Sequence, residues 1–171
     1  MEIRFLTADD AVEWSRLRLV ALKGDPEAFS SSVEEHQTLS LVDIKKRLGS
    51  SAEDSFVVGA FENGRLVGMA GFVREKGPKT RHKGFVWGVY VAPEQRERGL
   101  ARQIFAKLIE RVRRIEGVEQ VLISVATTQT AATHLYRSLG FQTFGIEPRA
   151  LKVGERYIDE EYMLLRFAQS E

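Results

Sequence analysis

Hydrophobic positions along this chain follow two different periods, which predict a mixture of strands and helices. Over residues 99–114 apolar side chains recur every three or four positions, which predicts an amphipathic helix. Apolar runs on both sides of Asn63-Gly64 predict a β-hairpin, because this dipeptide favours the tight turn between antiparallel strands. The predicted strands cover residues 3–6, 56–61, 66–73, 84–91, 118–125, 141–146 and 156–165. The predicted helices after the first cover residues 34–39, 41–48, 99–114 and 130–139.

The first helix follows the first strand. Thr7 or Asp9 is expected to cap its start, and Gly24 followed by Asp25-Pro26 is expected to end it. Its face toward the protein interior is expected to hold Val12, Leu17, Leu19, Val20 and Leu22.

The order of elements predicts an α/β fold in a single domain spanning residues 1–171. A strand, a crossover helix and a strand around Val91 and Val121 imply one parallel pair of strands. The Asn63-Gly64 hairpin implies antiparallel pairs. We therefore expect one mixed, mostly antiparallel central sheet with helices on both faces.

Composition and charge exclude several classes of function. The chain has 171 residues, of which 43% are hydrophobic, and a net charge of +1, so no nucleic-acid or membrane partner is expected. It has no cysteine, which removes disulfides and a covalent thioester intermediate. The three histidines are dispersed, so no metal site is expected. Residues 1–4 precede no apolar stretch of the kind found in signal peptides, which favours a cytoplasmic location.

The chain from Val89 to Ala101 predicts an anion site. A strand ends at Pro93, and a charged, glycine-bearing turn leads directly into the long helix. The start of a helix presents unpaired N–H groups and a partial positive charge, which suits a phosphate. Gly99 permits close approach of a ligand to the backbone. Further positive charge comes from Arg96, Arg98 and Arg102.

A second motif lies about thirty residues downstream. Gln129 precedes a predicted helix that contains Ala132 and Leu135-Tyr136, and Gly140-Phe141 follows it. Together with Arg96-Glu97-Arg98-Gly99-Leu100-Ala101, this pattern resembles the GNAT superfamily of N-acetyltransferases. That family carries R/Q-x-x-G-x-G/A after its fourth strand and N-x-x-A-x-x-L-Y further on. Here Gln129 stands where the family has asparagine.

The resemblance implies a GNAT-like fold, with the sheet splayed around its parallel strand pair, and acetyl-CoA as co-substrate. Backbone groups along residues 89–91 would contact the pantetheine arm, and N–H groups of residues 96–101 would hold the pyrophosphate. Tyr136 would be the general acid that protonates the departing thiolate. The expected cofactor-binding residues are Val89, Tyr90, Val91, Arg96, Glu97, Arg98, Gly99, Leu100, Ala101, Arg102, Gln129 and Tyr136.

The general base is less clearly marked in the sequence. An alkylamine has a pKa near ~10.4 and must lose a proton before it attacks a thioester. Some relatives place a glutamate on the fourth strand, but residues 84–88 contain no carboxylate. Glu147 is the first candidate, as base or acceptor contact. Asp159, Glu160, His134 and a water chain remain alternatives.

The acceptor is expected on the side of the splay opposite the cofactor. Phe29, Trp87 and Tyr157 would supply aromatic walls, and Glu147 or Asp159 would attract a cation. The acceptor is expected to be a small-molecule or peptide amine of unassigned identity, and a homodimer remains open. The alternative functions are a non-catalytic acyl-CoA-binding or regulatory module and a nucleic-acid binder that uses the basic face of the long helix.

Overall fold

A computed structural model describes residues 1–49 and 54–167, which form a seven-stranded sheet flanked by helices. The strands are β1 (Glu2–Phe5), β2 (Ser55–Glu62), β3 (Arg65–Arg74), β4 (Lys83–Val91), β5 (Gln120–Ala126), β6 (Gln142–Val153) and β7 (Arg156–Arg166). The α-helices are α1 (Ala11–Gly24), α2 (Val33–Gln37), α3 (Leu41–Leu48), α4 (Leu100–Arg113) and α5 (Thr130–Ser138).

The sheet has the strand order β1-β2-β3-β4-β5-β7-β6. Only β4 and β5 pair in parallel, and α4 forms the crossover between them. The other neighbouring strands are antiparallel. The predicted mixed, mostly antiparallel α/β sheet with one parallel pair is therefore confirmed.

Two apolar cores lie on opposite faces of the sheet, because successive side chains of a strand point to opposite sides. On β2, Val58 belongs to the core under α4 and α5, whereas Val57 belongs to the core under α1 and α3. The first core also holds Phe105 and Tyr136, and the second also holds Trp14. Helices on both faces, as predicted, thus enclose the sheet.

The buried face of α1 differs from the sequence-based expectation. Val12 and Val20 are 63% and 44% exposed, whereas Trp14 and Arg18 are buried. The helix follows a 3₁₀ turn whose start is capped by Thr7, so its first residue is Ala11. That start turns Trp14, Leu17, Arg18 and Ala21 inward at helical spacing. The expectation is confirmed for Leu17 and Leu22 and was wrong for Val12 and Val20, because the inward face includes a tryptophan and an arginine and leaves two valines in solvent.

β6 is longer than the strand predicted over residues 141–146. It continues past Pro148 to Val153 and pairs with β7 across two register shifts. Proline lacks an N–H and is tolerated in an edge strand, and β6 lies at the edge of the sheet. The strand predicted over residues 141–146 was therefore too short. The long β6–β7 hairpin extends beyond the body of the sheet.

Candidate functional site

The site begins where β4 and β5 separate. Their pairing runs from Lys83 with Gln120 to Phe85 with Leu122 and goes no further. On its other side, β4 stays paired with β3, but the register shifts between Trp87 and Tyr90. Gly88, at this bulge, has φ +63°. A bulge bends the strand that carries it, so the outer half of β4 diverges from β5.

A cleft of about 650 Å³ opens between the diverging strands and continues to the start of α4. Thirteen of the seventeen residues expected to form the site line it. They are Phe29, Trp87, Val89, Tyr90, Val91, Arg96, Glu97, Gly99, Leu100, Ala101, Arg102, Gln129 and Tyr136. Among the other candidates, Arg98, Glu147, Tyr157 and Asp159 do not belong to the lining.

The open edge of β4 carries backbone groups directed into the cleft. Ala92 N–H donates to Val67 O of the β3 side at 2.8 Å. Since neighbouring residues of a strand direct their N–H groups to opposite sides, Val91 N–H is directed away from β3 and toward the cleft. Val91 O accepts a hydrogen bond from Arg96 Nε at 3.0 Å. The strand therefore offers the cleft an unused backbone donor beside an occupied acceptor.

The turn between β4 and α4 forms a backbone nest. Glu97 and Gly99 both have left-handed backbone conformations, with φ +62° and +72°. Within residues 1–49 and 54–167, the N–H groups of residues 97–102 have no hydrogen-bond acceptor. Consecutive N–H groups in such a conformation, at the start of a 14-residue helix, bind anions. The anion site at this turn stays a prediction, and this geometry is one that can bind an anion.

The three arginines of this turn are less available than their sequence position suggests. Arg96 forms an ion pair with Asp25 at 2.8 Å. Arg98 Nη1 donates to Gln95 Oε1 at 3.2 Å, and Arg102 Nη2 donates to Ser138 Oγ at 2.6 Å, on α5. Their side chains tie the turn to α1 and α5 while their charges stay beside the nest.

Gln129 stands directly before α5 and lines the cleft. Its N–H donates to Ala126 O at 2.8 Å, and its carbonyl accepts from Thr133 N at 3.1 Å. These bonds fix its backbone between β5 and α5.

Tyr136 projects from α5 into the core and lines the inner part of the cleft. Its side chain is 4% exposed and packs against the rings of Phe105 and Phe141, with centroids 5.3 and 6.1 Å away. Burial raises the pKa of Tyr136 above its ordinary value, so the phenol keeps its proton. It can therefore act as a hydrogen-bond or proton donor.

A carboxylate lies behind the opposite wall, bonded to a residue that lines it. Ser124 lines the cleft on β5, and its Oγ donates to Glu160 Oε1 on β7 at 3.4 Å. Burial raises the pKa of Glu160, the Ser124 hydroxyl lowers it, and the charge of Glu147 raises it again. Glu147 lies opposite Glu160 in the β6–β7 register and accepts a hydrogen bond from Tyr162 Oη at 2.7 Å.

The remaining acceptor candidates lie on the β6–β7 hairpin. Asp159 Oδ1 accepts from Arg149 N at 2.7 Å, and the Arg149 guanidinium lies 3.7 Å from the centre of the Tyr157 ring. Arg156 joins this hairpin to the segment after α1 through an ion pair with Glu27 at 2.8 Å. Tyr157 and Asp159 thus serve the hairpin and stand beside the cleft.

Sequence reasoning missed Ser124 and Arg18 as site residues. Ser124 needs the β5–β7 register to meet Glu160. Arg18 lies behind Gly88 and Phe29, two residues of the lining. The only sequence signal for Arg18 is its spacing of four residues from Trp14 and from Leu22.

In the part of the chain that the structure describes, no group of three or more His, Cys, Asp or Glu side chains could hold a metal ion. Of the helices in the same residues, none has the length and apolar character needed to cross a membrane.

The sequence model of the Acetyltransferase (GNAT) family matches residues 18–141. Over 97 residues the chain is 37% identical to the N-alpha-acetyltransferase RimI of Mycobacterium tuberculosis, covering 56% of this chain and 58% of that protein. The chain thus spans little more than half the length of this relative.

Solved structures share the whole fold. An acetyltransferase of the GNAT family from Streptococcus pneumoniae superimposes with a TM-score of 0.86 at 23% identity, covering 97% of this chain and 99% of the other. A GNAT superfamily phosphinothricin acetyltransferase from Sinorhizobium meliloti, in complex with acetyl-CoA, gives 0.81 at 17% identity, covering 96% and 87%.

Proposed function

Since this chain belongs to the acetyltransferase (GNAT) family, we propose that it transfers an acetyl group from acetyl-CoA to a primary amine by direct attack in a ternary complex. The observation that carries the proposal is the cleft, in which the open edge of β4 and the nest before α4 line one cavity. A cytoplasmic location and a homodimer stay predictions.

The cleft suits acetyl-CoA on chemical grounds. A pantetheine arm carries amide groups that can pair with the open strand edge along residues 89–91, like an added strand. A pyrophosphate matches the unpaired N–H groups of residues 97–102. The bound co-substrate supplies an activated acetyl group and a thiolate leaving group.

Donors at the reacting centre come from two elements of the chain. Val91 N–H, directed into the cleft, would stabilise the negative charge that develops on the carbonyl oxygen. Tyr136 would give its proton to the departing thiolate, whose conjugate thiol has a pKa near ~8.5. The phenol's raised pKa keeps the proton in place until that charge develops.

Glu160 is the base that the geometry favours. It is half-buried and bonded to the cleft-lining Ser124, whereas Glu147 is exposed and held by Tyr162. Glu160 would take a proton from the acceptor ammonium before attack. Its raised pKa brings its basicity closer to that of a base working near neutral pH. The negative charge of Glu147 raises the pKa of Glu160.

The atoms balance without a covalent enzyme intermediate. The amine nitrogen forms a bond to the acetyl carbon, and the bond from that carbon to sulfur breaks. Glu160 holds the proton removed before attack and releases it to solvent. The proton that nitrogen loses after bond formation restores the phenol of Tyr136 through solvent.

The placement of the pyrophosphate is tested by Gly99→Glu. The new carboxylate would stand beside the phosphates, and close like charges cost several kcal/mol, so we expect CoA affinity to fall at least about a hundredfold. Gly154→Glu is the matched control, because Gly154 also has positive φ (+61°) and open space at its Cβ position but lies in the β6–β7 turn. Isothermal titration calorimetry with CoA measures both. Equal affinities in the two variants would refute the placement.

The role of Tyr136 is tested by Tyr136→Phe. Phenylalanine keeps the ring packing against Phe105 and Phe141 but removes the donor, so we expect kcat to fall about 10²- to 10⁴-fold with CoA affinity retained. Thiol release against a panel of amines measures turnover. An unchanged kcat would exclude Tyr136 as the acid. Wild-type CoA binding without turnover on any amine would favour the alternative, a non-catalytic acyl-CoA-binding module.

The role of Glu160 is tested by the pH dependence of kcat/KM. A base with a raised pKa becomes protonated at higher pH than an ordinary glutamate, so we expect activity to be lost as pH falls through a value above about 4.3. Glu160→Gln should abolish this loss of activity at low pH. Glu147→Gln removes a neighbouring negative charge, so the loss of activity should then occur at a lower pH. If the loss of activity at low pH disappears in Glu147→Gln alone, Glu147 is the base instead.

A further inference from the structure

One buried charge has no counter-ion in the part of the chain that the structure describes. Arg18 is 7% exposed, and no hydrogen bond or ion pair of its guanidinium is found among residues 1–49 and 54–167. Burial, and after it the charge of Arg47, lowers the pKa of Arg18 to about 10. An isolated buried charge is costly and is ordinarily paired.

This guanidinium lies directly behind the reacting end of the cleft. It is 4.7 Å from the centre of the Phe29 ring, and Phe29 lines the cleft. Its Nη1 atom is 3.3 Å from the position that a Cβ of residue 88 would occupy. Because residue 88 is a glycine at the β4 bulge, it places no side chain between this nitrogen and a ligand at the bulge, and Arg18 lies behind the cleft lining without belonging to it. The unpaired donor therefore faces the same strand that carries Val89 and Val91.

The surroundings of Arg18 supply donors and positive charge. One helical turn earlier, the buried Trp14 Nε1 also lacks an acceptor in the described residues. His36 Nε2 lies 3.0 Å from Ser15 Oγ, and burial, with the charges of Arg18 and Arg47, lowers the pKa of His36. None of these groups carries the negative charge that the guanidinium needs.

We propose that the acceptor itself supplies the missing anion, so that Arg18 binds a carboxylate on the amine substrate and selects free α-amino acids or close analogues. This rests on the proposed acetyl transfer. Consecutive residues of a strand are roughly 3.3 Å apart. Gly88 and the donor Val91 are three positions, roughly 10 Å, apart, a distance that the carboxylate's hydrogen bond, one α-amino acid, the acetyl carbonyl and its hydrogen bond to Val91 N–H together span. The aromatic walls Phe29 and Trp87 favour an apolar side chain.

A planar guanidinium matches a carboxylate through two parallel hydrogen bonds, which gives orientation as well as attraction. Binding the carboxylate at the bulge would direct the α-amine toward the carbonyl group held along β4. The competing explanation is that Arg18 only stacks on Phe29 and contributes to packing. That explanation gives no preference for acceptors that carry a carboxylate.

The experiment compares kcat/KM for L-leucine, L-phenylalanine and L-methionine with that for their amides. The wild-type chain is expected to prefer the best acid over its amide at least about tenfold. The amide's amine loses its proton more readily, so intrinsic reactivity works against this result. Equal or higher values for the amides would overturn the inference.

The variant Arg18→Met has similar length, no charge and an apolar character suited to a buried position. It should bring the acid and the amide to the same kcat/KM while CoA affinity is unchanged. Lys23→Met, which removes a positive charge from the exposed end of α1, should keep the wild-type preference. A preference that survives in Arg18→Met would also overturn the inference.

A further measurement needs no variant. We expect 4-methylpentanoate, which is leucine without its amine, to inhibit competitively against L-leucine, and 4-methylpentanamide not to inhibit. Equal inhibition by the two would contradict the proposal. Acetylation of other amines but none of the six compounds would overturn the inference and leave the proposed function standing. Failure to acetylate any amine would remove both.

Discussion

The divergence of β4 from β5 is the constraint on which the site depends. Two neighbouring strands that pair from Lys83 to Phe85 would normally continue their ladder, because unpaired backbone groups are costly. The bulge at Gly88 bends β4 away while β3 keeps it in the sheet. The result is a strand edge inside the molecule that only a ligand can pair. The cleft and the donor edge follow from this single departure from regular pairing, and the turn before α4 lies at the end of the diverging strand.

The two walls of the cleft carry groups that suit opposite charges. The wall formed by β4, α4 and α5 presents N–H groups, the neutral phenol of Tyr136 and the charges of the turn arginines, which together stabilise negative charge. The facing wall, at β5 and β7, presents Glu160 through Ser124, which suits a cation. Arg18 lies beneath the bulge between them. An amine that carries a carboxylate would meet an opposite charge at each of its ends.

Much of the fold could be predicted because the local sequence patterns favour the same strands, turns and helices that the fold contains. Asn63-Gly64 marks the hairpin, and the apolar spacing of residues 99–114 marks α4 correctly to within a residue. The nest could be located as well, since a strand, a glycine-bearing turn and a helix in succession are local features. Its arginines lie in this turn, although Arg98 does not line the cleft, and their bonds to Asp25, Gln95 and Ser138 depend on tertiary contacts.

The acceptor side could not be predicted in the same way. Ser124 and Glu160 meet only through the pairing of β5 with β7, which are separated by α5 and β6 in the sequence. Arginine side chains ordinarily lie in solvent, so the burial of Arg18 is unusual. Residues that break such rules are often functional. Here the misread face of α1 is the face that carries the unpaired charge.

Amide hydrogen exchange of the full chain, with and without CoA, tests the central claim most directly. If the ligand pairs with the open edge of β4 and the nest, exchange should slow at residues 89–91 and 97–102 on binding. It should stay unchanged along the outer strand β6. Binding of CoA with no change at residues 89–91 and 97–102, and slowing elsewhere, would contradict the account.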